Sequence, residues 1–259
     1  MLNIIVCYKW VLDEQDIKVN PERLDLDTSR AKYKISDYDK NALEEAVLLA
    51  EKYGGKVSAL TFGPEGAKQS LKDALSRGPE RAFIVKDNLA LTADAFVTAN
   101  VLAAAIRRIG EYDLILCGEG AADTYAQQVG PRLAALLGIP GITFVNSIGL
   151  DSGQLLATRK LKSCTQETAA PLPALVTVLP EINQPRIPSL KQVLGAAKKP
   201  VTEISLASLE LAAEDLVPRV RLKALKGYAM NRKHIIFGGA APAEAVAKLV
   251  ASLGKEGVI

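Results

Sequence analysis

Apolar residues along the first 150 positions fall into two alternating rhythms. Short continuous runs, LNIIVC (2–7), KVSALTF (56–62), RAFIV (81–85) and DLILC (113–117), read as strands buried on both faces, which are apolar at nearly every position. Between them lie ALEEAVLLAEKYGG (42–55), AKQSLKDALSRG (67–78) and TADAFVTANVLAAAIRRIG (92–110), with apolar residues at helical spacing. In the first helix Ala42, Ala46, Leu49 and Ala50 share one face. Glu44, Glu45, Glu51 and Lys52 take much of the opposite one, and Gly54-Gly55 stops it. Thr92 stands where an N-cap of the third helix is expected, and Gly110 where its C-cap is. Strands alternating with helices of this length predict a doubly wound α/β fold on a mostly parallel sheet with right-handed crossovers. Ligands of such sheets sit outside the carboxyl ends of the strands, where Cys7, Phe62 and Gly118 fall.

Two regions break the rhythm. The long connection 11–38 contains DIKVN and AKYKIS, short alternating segments that suggest a β-hairpin excursion, either functional or simply covering the sheet. After residue 140 strands follow with little helix: ITFVNSIGL, QLLATRKL and LPALVTV. PEINQPRIPSLKQVLGAAKKPV (180–201) is rich in proline and basic residues. Pro185 and Pro188 forbid a helix there, so an extended segment should lead into a short helix from Ser189 that sets Leu190, Val193 and Leu194 along one side. It reads as a docking element or as a linker packing on its own domain. Residues 202–238 show no sustained period, and 241–254 form a final amphipathic helix, which either wraps a partner or packs back.

Composition narrows the classes. At 259 residues the chain can hold one large domain or a domain with an appendage, and 49% hydrophobic content suits a well-buried core. The longest apolar runs are far short of the roughly 18–20 residues that span a bilayer. The start, MLNIIVCYKW, lacks a basic n-region and a cleavage site, so a cytoplasmic setting is expected. A net charge of +3 does not argue for nucleic acid. Three scattered cysteines (Cys7, Cys117, Cys164) make neither a disulfide framework nor a zinc site. With one histidine, His234, and no partner motif, a catalytic triad or a multi-histidine metal site is not foreseen; any chemistry belongs to a bound cofactor.

The candidate chemistry lies in LILCGEGAADTYAQQVGP (114–131). A buried run ends at Gly118, small residues follow at Gly120, Ala121 and Ala122, then Asp123, and a helix is expected from near Tyr125. Small residues let a ligand approach the backbone, and the helix start offers free N–H groups to an anion such as a nucleotide phosphate. An ordinary strand-to-helix turn reads equally well. The pattern is neither a dinucleotide fingerprint nor a P-loop.

In order along the chain, VCYKWVLD, SDYDKNALEEA, ALTFGP, ALSRGPERA, LILCGEGAADTYAQQVGP, LPALVTV and INQPRIPSLKQVLGAAKKP resemble the beta subunit of an electron transfer flavoprotein over roughly residues 2–205. RIPSLKQVLGAAKKP and DTYAQQVGP are most similar to the bacterial branch associated with carnitine and nitrogen-fixation electron transfer. The resemblance implies an adenine nucleotide alpha hydrolase-like domain over 1–205 that includes a partner-docking loop at 177–200. It further implies that 206–259 form an arm and helix packing on an alpha subunit. That alpha subunit would carry most of an FAD site, while this chain would bury AMP or a second FAD and bifurcate electrons only with the latter. A flavin-dependent, acyl-CoA-type dehydrogenase would be the redox partner, with no nucleic acid and no membrane span. Carried over by position, the nucleotide would meet Cys7, Ser36, Asp37, Tyr38, Asp39 and Phe62. It would also meet Gly118, Glu119, Gly120, Ala121, Ala122, Asp123, Thr124, Tyr125, Ala126, Gln127, Gln128 and Val129, and Leu190 would anchor the docking loop. Three departures bear on which nucleotide is held: Asp123-Thr124-Tyr125-Ala126 replaces an aspartate-glycine-aspartate-threonine run, Ser36-Asp37 an asparagine-proline pair, and Lys162-Ser163-Cys164 an aspartate-glycine-glycine turn. The competing class is a stand-alone adenine-nucleotide-binding, stress-type module on a similar sheet.

Overall fold

The computed structural model describes every residue except 229–231 and 240. β1 (Leu2–Cys7) opens the chain, and the excursion after it holds β2 (Trp10–Leu12), β3 (Lys18–Val19), β4 (Leu26–Asp27) and β5 (Tyr33–Ile35). The alternating half continues with α1 (Asp37–Tyr53), β6 (Gly55–Gly63), α2 (Lys68–Ser76), β7 (Arg81–Lys86), α3 (Ala95–Ile109), β8 (Leu114–Gly118) and α4 (Val129–Leu137). Then come β9 (Gly141–Asp151), β10 (Gln154–Lys160), β11 (Thr165–Pro171), β12 (Ala174–Val178), α5 (Leu190–Ala196), β13 (Val201–Ser205) and α6 (Pro242–Lys255).

Nine strands form one sheet in the order β11-β10-β9-β12-β8-β1-β6-β7-β13. Every neighbouring pair from β9 to β13 in that order is parallel, and only β10 runs antiparallel, to β9 and to β11. The doubly wound, mostly parallel α/β sheet expected from the alternating pattern is the fold. Successive strand residues feed opposite layers. Ile4 and Val6 share an apolar cluster with Ala42, Leu43 and Ala46 of α1, whereas Ile5 and Cys7 join Val97, Val101 and Ile106 of α3. From β1 the chain steps to β6 and β7 on one side, and α3 then carries it back to β8 on the other. The boundary between β1 and β8 is therefore the topological switch point, where open α/β sheets place ligands.

Several local expectations are corrected. α1 begins at Asp37, five residues before position 42, although Gly54 ends it as expected, with φ 73° and its N–H on the Ala50 carbonyl. Its polar face is not solvated: Glu44 and Glu45 are buried beneath the 180–200 segment. Asp94, not Thr92, caps α3, its Oδ1 accepting from Val97 N at 2.9 Å, while Thr92 closes the preceding turn onto Leu89. The two alternating segments of the excursion do not pair with each other. β3 pairs with β4, and β5 pairs with β2 so that Ile35 is fully buried. β11 and β13 were not foreseen. Both are edge strands whose residues are mostly exposed and carry little apolar signal.

The described residues fall into two compact units, Met1–Lys18 with Asp27–Leu225, and Val19–Leu26 with Lys226–Ile259. Within the second unit Gly227 donates its N–H to Leu24 O, Lys226 pairs with Asp25, and Lys233 pairs with Glu256 beyond α6. Val246 and Val250 of α6 are exposed.

Candidate functional site

The ends of β1 and β8 are held together by one side chain from α1. Asp39, buried, accepts from Lys9 N at 2.8 Å on one oxygen and from Gly118 N at 3.1 Å on the other. α1 starts early because its first turn reaches across the switch point to make these bonds. Burial pushes the Asp39 carboxyl up to about 7, against the opposing pull of the two backbone bonds. Gly118 is glycine for a spatial reason. A Cβ there would come within 2.6 Å of Asp39 Oδ1 and 2.8 Å of the Tyr38 backbone.

Around this bridge the structure gathers most of the expected residues. Ser36 Oγ accepts from Ala122 N at 3.2 Å, tying the 118–129 loop to the start of α1. The Tyr38 and Tyr125 rings lie 5.2 Å apart at 43°. Tyr125 donates its hydroxyl to Glu119 at 2.7 Å, and Gln127 approaches the same carboxylate at 3.4 Å. That bond, more than burial, pushes the Tyr125 phenol up to about 12. Gly120 lies beneath Tyr125, where a Cβ would meet the ring at 2.9 Å. Asp123 receives Lys9 Nζ at 2.5 Å, and Thr124 N donates back to Asp123. Tyr125 (φ 44°) and Gln127 (φ 55°) are left-handed, so the helix expected from Tyr125 starts only at Val129. Gln128 holds Arg132 with its amide oxygen and does not cap α4, Ala126 is exposed, and Val129 is half-buried.

Other expected residues stand apart. The side chains of Cys7 and Phe62 pack in the core layer under α3, so at the rim they present backbone only. Asp37 turns outward to Lys34 and Lys40, and Leu190 sits exposed on α5. Lys9 escaped the sequence reading, although its place two residues past β1 at the predicted rim was the available signal. A cleft of about 410 Å³ next to the loop is lined by Glu14, Asp37, Tyr38, Asn41, Ala122 and Pro180.

The arrangement offers a half-buried aromatic face, carboxylates already matched with donors, and an α4 start that no side chain caps among the described residues. The aromatic face suits an adenine ring and the α4 start an anionic group, while the carboxylates, already matched with donors, hold the loop in place. The same residues hold no nucleophile–base pair and, among the described residues, no cluster able to ligate a metal. Tyr125→Phe should lower stability by about 1–2 kcal/mol, because Glu119 keeps only the long Gln127 contact. Urea titration reads this as a lowered midpoint at constant slope; an unmoved midpoint would show that the Tyr125–Glu119 bond contributes nothing.

Fold and rim define a doubly wound α/β domain with its crevice at the switch point. A family model described as the electron transfer flavoprotein domain matches residues 23–209, well over half of the chain, and the chain belongs to that family. Proteins of this family carry electrons rather than transform a substrate, and generally bind flavin. Among the described residues no helix is long and apolar enough to cross a membrane.

Proposed function

We propose that this chain is the beta subunit of a heterodimeric electron transfer flavoprotein of the carnitine and nitrogen-fixation branch, and that its switch-point rim holds the adenosine part of AMP or of a second FAD. The observation that carries this reading is the Asp39 bridge. One carboxylate fixes the ends of β1 and β8 while Ser36 and Tyr38 hold the 118–129 loop over them, a ligand cradle without catalytic groups. In this reading Tyr38 flanks the base, and the backbone from Gly120 to Val129 meets the ribose and phosphate. Of the other site residues of the resemblance, Ser36, Asp37, Asp39, Gly118 and Glu119 border that space, and Cys7 and Phe62 reach it through backbone alone. Flavin, when bound with the alpha subunit, supplies reversible one- and two-electron chemistry. This chain's residues position it and exclude water. Leu190 and the 177–200 segment dock a flavin-dependent, acyl-CoA-type dehydrogenase, and 206–259 pack on the alpha subunit.

The test is co-expression with an alpha subunit, followed by acid extraction and chromatographic counting of nucleotides. One FAD and one AMP per heterodimer is expected for simple shuttling, and two FAD for bifurcation. A chain that purifies as a monomer, binds ATP and never recovers an alpha subunit would end the proposal in favour of a stand-alone nucleotide module.

A further inference from the structure

We propose that Tyr125 is a self-ligand of the nucleotide cradle, and that a nucleotide enters by displacing it. Its ring holds the place beside Tyr38 that a purine base takes, and its phenol holds the Glu119 carboxylate that a ribose hydroxyl takes. The inference rests on the adenosine site proposed above and deepens it, naming the residue that sets the affinity of that site and the carboxylate that selects a ribose.

Ring spacing carries the first half. The Tyr38 and Tyr125 centroids are 5.2 Å apart, with the planes tilted by 43°. A flat base between two rings needs contacts of about 3.5 Å on each face, or about 7 Å in all. The two tyrosines therefore do not form jaws open to a base, because Tyr125 already occupies the place beside Tyr38. Gly120 makes this close seat possible, since a Cβ there would meet the Tyr125 ring at 2.9 Å.

The carboxylate carries the second half. Glu119 is only 8% exposed; one oxygen accepts the Tyr125 hydroxyl at 2.7 Å, and the other has Gln127 at 3.4 Å. A buried carboxylate stripped of its short donor bears the full cost of desolvation until another donor arrives. A ribose hydroxyl is such a donor, whereas a phosphate is repelled. The exchange thus favours a ligand that brings both a flat ring and hydroxyl groups.

The loop is anchored on both sides of the exchange. Gly118 N on Asp39, Ala122 N on Ser36 and Asp123 on Lys9 fix it ahead of Tyr125, and Gln128 holds Arg132 behind. Between these anchors Ala126 is exposed, and Tyr125 and Gln127 keep left-handed backbones, φ 44° and 55°, that residues other than glycine adopt at a cost. Tyr125 is itself 44% exposed, so its side chain leaves towards solvent without opening the core.

The experiment uses the full chain with its flavin-bearing subunit, freed of endogenous nucleotide with charcoal and titrated calorimetrically with AMP and with 2′,3′-dideoxy-AMP. A site closed by its own side chain binds more weakly in proportion to the time it spends closed. Tyr125→Phe, which keeps the ring and loses the phenol bond, should bind AMP about fivefold more tightly than wild type, and Tyr125→Ala about twentyfold. Wild type should hold AMP about tenfold more tightly than the dideoxy nucleotide, and Glu119→Ala should hold the two equally. Flavin content should match wild type throughout. Unchanged or weaker AMP binding by Tyr125→Phe, or by a folded Tyr125→Ala, makes the residue part of the wall and overturns the self-ligand. Equal binding of the two nucleotides by wild type overturns the ribose contact. If none of the four proteins binds AMP, the adenosine reading itself falls.

Discussion

Arg186→Ala should be the most destabilising single change in the 180–200 segment, lowering the melting temperature by about 10 °C. The Glu44 side chain is 7% exposed, and its charge is met by the Arg186 guanidinium at 2.8 Å. Removing the guanidinium leaves Glu44 desolvated with only the backbone N–H of residue 186 to meet its charge, at a cost of about 3 kcal/mol. In a chain of this size each kcal/mol moves the transition by about 2–4 °C. Arg186→Ala combined with Glu44→Ala should be milder than the sum of the single changes, because the stranded charge is gone. Calorimetry on the four proteins of this cycle measures the coupling. Strictly additive shifts would mean that the clamp contributes no interaction energy, and that the segment is held by Asn183 and Ala196 instead.

The second large effect is a pH dependence traced to Asp39. Its carboxyl is raised from an ordinary value of 3.8 to about 7, chiefly by burial. Below about pH 4 the group is protonated whether the chain is folded or not, so it exacts no penalty. Between about pH 4 and pH 7 the unfolded chain ionises while the folded chain keeps its proton, and stability falls by about 1.4 kcal/mol per pH unit. Above pH 7 the loss levels off on the order of 4 kcal/mol. Asp39→Asn removes the titration but turns an amide donor towards Lys9 N or Gly118 N, so it loses one of the two bonds at every pH. The stability of Asp39→Asn relative to wild type should therefore climb by several kcal/mol from pH 4 to pH 8. Denaturant titrations across that range measure it, and a difference that stays level would show that Asp39 is ionised throughout and held by its two N–H donors.

Both effects depend on contacts that no local pattern announces. Asn183 and Arg186 reach α1 across 142 residues of sequence, so Glu44 and Glu45 read as a solvated face until the segment that covers them is folded onto it. Periodicity places the parallel strands and their helices, because their burial is what makes them apolar. It says nothing of β11 and β13, which need be apolar on at most one face. The rim was legible in outline, since the carboxyl ends of the strands singled out Cys7, Phe62 and Gly118, but only the strand order brings the ends of β1 and β8 together. The left-handed turns at Tyr125 and Gln127 were not, because neither residue is one that favours that conformation, and so the start of α4 shifted by four residues.

The three thiols differ sharply in access. Cys7 and Cys117, paired across β1 and β8, are buried, and the Cys117 thiol is pushed up by its contact with Cys7 and by burial, whereas Cys164 is exposed just ahead of β11. The wild-type chain therefore offers a ready-made single attachment point for a maleimide dye or spin label. Distances from that point to a nucleotide bound on this chain could be followed spectroscopically without first deleting any of the chain's own cysteines.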